Sequence, residues 1–113
     1  LTGDTTTKEF KTDPNRALRI DRIDYINPTG LAAATPTNYF AIQLKNGSTV
    51  LGSWSTLTAA QGTLTADTFV ALVLNSTDAN LVVAAGSTLT LLLDETGAAT
   101  LPAGKLIVHG RYL

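Results

Sequence analysis

Thr68-Phe69-Val70-Ala71-Leu72-Val73-Leu74 is apolar at every position after its first. Its β-branched content, its length of seven residues and the polar brackets Asp67 and Asn75-Ser76-Thr77 predict a strand over a helix. Successive side chains of a strand point to opposite faces, so Phe69, Ala71 and Val73 share one face and Val70, Leu72 and Leu74 the other. Neither face suits water. The stretch is therefore expected to be central and covered twice, by a facing sheet and by a second body such as another subunit.

Downstream, Leu81-Val82-Val83 predicts a short strand, Ala85-Gly86 a turn, and Thr88 to Leu93 a strand with Leu89, Leu91 and Leu93 on one face. Asp94-Glu95-Thr96-Gly97 and Leu101-Pro102-Ala103-Gly104 read as turns. The last strand, Lys105 to Leu113, sets Leu106, Val108, Gly110 and Tyr112 against Ile107, His109, Arg111 and Leu113. Upstream, Ala59 to Ala66 reads as a loop, preceded by a strand from Thr49 to Leu57 that carries Trp54 as a core or rim anchor. Asn46-Gly47 is a strong hairpin signal. It joins that strand to Tyr39–Lys45, where Phe40, Ile42 and Leu44 alternate inward.

Asn27-Pro28-Thr29-Gly30 predicts a turn, followed by an Ala/Thr/Pro loop from Leu31 to Thr37. Between Arg16 and Asn27, Leu18 and Ile20 alternate, but Ile23 and Ile26 follow at three-residue steps. A strand with a bulge near Asp21-Arg22 accounts for that change of step. Asp13-Pro14-Asn15 is a turn, Thr6 to Thr12 a short edge strand anchored by Phe10, and Leu1 to Thr7 a loose terminus or an arm ordered by a neighbour. About eight strands at this spacing imply an antiparallel sandwich or barrel. We expect a terminal arm over residues 1–15 and one β domain over 16–113.

A chain of 113 residues buries enough surface to fold without staples, and it has no Cys, hence no disulfides and no thiolate metal site. The net charge of −1 disfavours nucleic acid as the main partner. No apolar run is long enough for a membrane-spanning helix. Charge is segregated. Five acids and five bases fall between Asp4 and Asp24, whereas Asn46 to Gly104 holds only Asp67, Asp78, Asp94 and Glu95 and no base. So weakly charged a middle favours association, and the mixed signs at the start suit either a solvated edge or pairing across a boundary.

Chemistry is sparse. His109 is the sole histidine and lies in mid-strand, where pairing within a sheet or across an interface is the expected role, not general-base catalysis. Asp94-Glu95 with Asp78 offers carboxylates, but no loop supplies the spaced oxygens that calcium needs. Asn46-Gly47-Ser48 and Asn75-Ser76-Thr77 fit the glycosylation pattern, which is common by chance. Phosphate-binding and nucleophile-elbow motifs are missing from the sequence. No catalytic residue, metal, cofactor or small-molecule substrate is expected.

The pattern of a first strand closing on Asn27-Pro28-Thr29-Gly30, then Tyr39 to Leu44, the Ala/Thr/Gly-rich strands with Leu101-Pro102-Ala103-Gly104, and a final Lys105-Leu106-Ile107-Val108 resembles the jelly-roll decoration (cement) proteins of tailed bacteriophage capsids. The resemblance runs from about Arg16 to Leu113. It implies a homotrimer on the outer capsid surface of a virion, with the major capsid protein as partner, holding neighbouring capsomers together. In that setting the start of the chain is expected to touch the capsid through Lys8, Glu9, Phe10, Lys11, Arg16 and Arg19. Subunits are expected to meet at Phe69, Ala71, Val73, His109 and Arg111. A tail-fibre or receptor-binding tip and a carbohydrate-binding module are the rival expectations, and an enzyme comes last.

Overall fold

The computed structural model describes residues 5–30, 37–57, 61–97 and 104–113. Expectations for residues 1–4, 31–36, 58–60 and 98–103, including most of the Leu31–Thr37 loop and the Leu101-Pro102-Ala103 turn, lie outside the described residues. Among the described residues nine strands form: β1 Thr5–Lys11, β2 Leu18–Ile26, β3 Tyr39–Asn46, β4 Thr49–Ser55, β5 Val70–Ala71, β6 Val73–Leu74, β7 Val82–Val83, β8 Thr88–Thr96 and β9 Lys105–Tyr112. They build the expected all-β antiparallel sandwich. One sheet, here sheet A, has the order β1-β8-β3-β4-β6. In the other, sheet B, β5 and β7 pair along one side of β2 and β9 along the other. The first two strands thus pair with the last two, β1 with β8 and β2 with β9, one pair in each sheet. That long-range closure fits the jelly-roll expectation.

β2 carries the expected bulge. Its register with β9 shifts between Ile20 and Arg22. The extra residue lets Ile20 and Ile23 both face inward, each fully buried, while Asp21 and Arg22 stay exposed. The three-residue step in the sequence is the signature of that bulge, and no helix is needed. The Asn27 turn is closed by its own side chain, whose Oδ1 accepts from the backbone N–H of Thr29 (3.0 Å) and Gly30 (2.5 Å). Gly30 has φ +70°, and a Cβ there would meet Ala66 N at 2.7 Å and Leu64 O at 2.8 Å. β3 and β4 form the hairpin, with Asn46 paired to Thr49 across Gly47-Ser48.

The stretch from Thr68 to Leu74 departs from expectation. It is not one central strand. Val70-Ala71 pairs with β2 in sheet B, and Val73-Leu74 pairs with β4 in sheet A. Leu72 stands at the crossing, 3% exposed, and donates its N–H to Ile23 O at 2.8 Å. A short edge segment that changes sheets needs cover on one side only. Val70, Leu72 and Leu74 face the core, while Phe69 and Val73 are about half exposed.

β8 also runs further than expected, because Asp94 pairs with Ala41 and Glu95 with Phe40 where a turn was foreseen. A short 3₁₀ turn, Asp78–Leu81, leads into β7. The core joins Ile20, Ile23 and Tyr25 of β2 to Phe40, Ile42 and Leu44 of β3, with Leu51, Leu72, Leu81, Val83 and Leu89. Trp54 packs at its margin.

Candidate functional site

Facing residues of a ladder share a side, so the outer face of sheet B can be read from its register. Asp24 faces Ala71 on one flank and Ile107 on the other, Arg22 faces His109, and Arg19 faces Val82 and Arg111. Phe69 continues this side two residues before Ala71. Four of the five expected subunit-interface residues, Phe69, Ala71, His109 and Arg111, thus come together here. Val73, beyond the crossing, pairs with Ser53 and belongs to the outer face of sheet A instead.

Three apolar side chains of this face are exposed: Phe69 at 48%, Val82 at 38% and Ile107 at 39%. Between them lies a charged network. The Asp24 carboxylate, only 9% exposed, accepts from Arg22 Nε at 2.6 Å through one oxygen and contacts His109 Nε2 at 3.0 Å through the other. Alternation sets Arg22 and Asp24 on one face, and the bulge makes it the outer face by letting Ile23 point inward after Ile20. His109 fills its expected role as a strand histidine paired within the sheet.

Arg19 reaches across to Asp78 with both terminal nitrogens and lies 3.7 Å from Asp21. The hydrogen bond from Arg19, with the attraction of its charge, holds the Asp78 carboxyl below the usual carboxylate range. The same bond raises the guanidinium further. Asp78 is 76% exposed, so water screens the pair, which orients side chains more than it stabilises the fold.

The six residues expected to touch a capsid do not form one surface. Lys8, Glu9, Phe10 and Lys11 belong to β1, the edge strand of sheet A, which is laddered to β8 over its whole length. The expected edge strand thus forms, and this part of the segment assigned to an arm is part of the sheet. Arg16 stacks over the Tyr112 ring with its guanidinium carbon 4.9 Å from the centroid, and Arg19 joins the sheet B face. Sequence reasoning missed Arg22, Asp24, Asp78, Val82 and Ile107. The one signal available was the Arg22-Ile23-Asp24 alternation, which on a strand puts opposite charges on one face and an apolar residue on the other.

Asp78 does not converge with Asp94 and Glu95, which occupy opposite faces of β8, and no cluster of metal-binding side chains occurs among the described residues. Nor do the exposed aromatics gather: Phe10 lies at the sheet A edge, Phe69 on the outer face of sheet B, and Tyr112 under Arg16 near the chain end. No helix is long and apolar enough to cross a membrane among the described residues. No family model matches the chain, and neither a curated protein nor a solved structure matches it.

Proposed function

We propose that the chain is a structural virion protein, a decoration protein that binds the outer capsid surface as a homotrimer and ties neighbouring capsomers together. The observation that carries this reading is the outer face of sheet B. There exposed Phe69, Val82 and Ile107 surround ion pairs that are already formed within one subunit. Apolar side chains in contact with water favour a covered state. Charges that enter an interface already paired carry less desolvation cost than lone ones. Three copies about an axis would each bury this face, leaving the edge strand β1 and its mixed charges to meet the capsid.

The test has two parts. Phe69→Asp places an unpaired charge on the face and should turn a trimer into a monomer, read by native mass. Co-sedimentation with mature capsids of the parent virus should be saturable for the unmodified chain and lost in Phe69→Asp. Deleting residues 1–15 is a poor probe, because it strips the β1 edge from β8. Glu9→Lys with Lys11→Glu tests the same contact at two exposed positions and leaves the ladder in place. Unchanged capsid binding in that double variant would remove β1 from the contact, and absence of any capsid binding would remove the proposal.

A further inference from the structure

Among the described residues β1 and β9 are each paired along one flank only, β1 with β8 and β9 with β2. The two edges are held differently. Leu106 and Val108 of β9 pack against the core. In β1 the register sets Lys8 in the row of Leu91 and Phe10 in the row of Leu89, so both stand on the inward side of the strand. Yet every side chain from Thr7 to Lys11 is exposed, Phe10 at 40% among them, and none of these five joins the core. The inward position before Phe10 is a lysine, a residue that cores do not take unpaired.

What holds β1 is thus its ladder to β8, on an edge open to water. Each such hydrogen bond contributes little net, because water replaces it when the strand lifts. Immediately after β1 the chain is pinned. The Thr12 N–H donates to Ser87 O at 2.9 Å, the Ser87 N–H to Thr12 Oγ1 at 2.9 Å, and the Gly86 N–H to Asp13 O at 2.8 Å. Asp13 also closes its own turn, its Oδ1 accepting from the Asn15 N–H at 2.7 Å.

We infer that β1 is a strap that lifts off β8 as a unit, pivoting at Thr12–Asp13, while the rest of the sandwich stays folded. Opening frees residues 5–11 and bares the edge of β8, at the loss of the ladder and one partly buried ring. Segments with few buried apolar contacts open far more readily than the whole molecule unfolds. Lys8 keeps the strap releasable, since an apolar side chain there would extend the row of Leu91 and hold the strand down. This inference concerns the single subunit and does not rest on the capsid reading.

Hydrogen exchange of the full chain, followed amide by amide by NMR in water and in low urea, tests it. The β1 amides bonded to β8 should exchange about a hundredfold or more faster than those of the central strand β3. Their rates should scarcely change with urea, because little surface is exposed on opening. The amides of Thr12, Gly86 and Ser87 should stay with the slow group. Ile42→Val loosens the core and should speed the β3 amides several-fold while leaving the β1 rates unchanged. Phe10→Ala should speed the β1 amides by about tenfold, and Lys8→Ile should slow them by about as much.

Exchange in β1 as slow as in β3, a urea dependence in β1 equal to the global one, or β1 amides that quicken with those of β3 in Ile42→Val would each overturn the inference. Thr12, Gly86 and Ser87 exchanging at the β1 rate would overturn it too, because no pivot would remain. So would indifference of the β1 rates to both Phe10→Ala and Lys8→Ile.

Discussion

Leu72 and Phe69 sit three residues apart in a run that looks uniformly core-like, and the fold gives them opposite consequences. Leu72→Ala deletes most of a side chain that is 3% exposed at the point where the chain changes sheets. The neighbouring backbone cannot collapse into the space, because the Leu72 N–H is bonded to Ile23 O and the strands on either side are laddered. A poorly relaxing Leu→Ala site costs about 3 kcal/mol or more. For 113 residues, an unfolding entropy of about 2 cal/mol/K per residue converts that loss to a fall in Tm of roughly 13 °C. Phe69→Ser removes a ring already half in water, so the isolated subunit should lose no more than about 0.5 kcal/mol. Urea unfolding at several protein concentrations separates the two effects. Leu72→Ala should lower the midpoint at every concentration with an unchanged slope, and Phe69→Ser should erase only the concentration dependence. Equal losses in the two variants at the lowest concentration would refute the sheet-crossing assignment.

Three further outcomes are expected. Asp24→Ala leaves Arg22 and His109 facing a cavity in place of a carboxylate and should cost about 1–3 kcal/mol in urea unfolding, with His109→Ala non-additive in a double-mutant cycle; additivity would mean that the contact is passive. The folded-state pKa of Asp78 is depressed, so its contribution to stability is present above the ordinary carboxylate value and is lost as pH falls through the lowered one. An acid titration of stability should show this loss in the parent and not in Asp78→Asn, and identical acid limbs would contradict it. Gly30→Ala forces a side chain toward the Leu64 and Ala66 backbone at positive φ and should cost about 1–3 kcal/mol by thermal unfolding; a neutral effect would contradict the turn geometry.

Much of the fold is legible in the residues. The Asn46-Gly47 hairpin, the inward alternation of Phe40, Ile42 and Leu44, and the bulge at Asp21-Arg22 follow from local rules of turn chemistry and side-chain period. What local rules missed was set by pairing partners far along the chain. Nothing within Thr68–Leu74 reveals that β2 takes its first half and β4 its second, so its double-apolar pattern reads as a central strand. Asp94-Glu95 looks like a turn until β3 is placed beside it, since ladder pairing overrides weak strand propensity. The candidate face was partly legible for the same reason. Alternation in the last strand put His109 and Arg111 on one side, but only the register of β2 against β9 brings Asp24 to His109 and Ile107 to Asp24.

The central claim is that the outer face of sheet B is covered in the working state. Native mass of the full chain across a range of concentrations tests it most directly. A trimer that Phe69→Asp reduces to a monomer, with the far-UV spectrum of a β-sandwich retained, is the predicted result. A chain that stays monomeric at every concentration, alone and with capsids present, would contradict it.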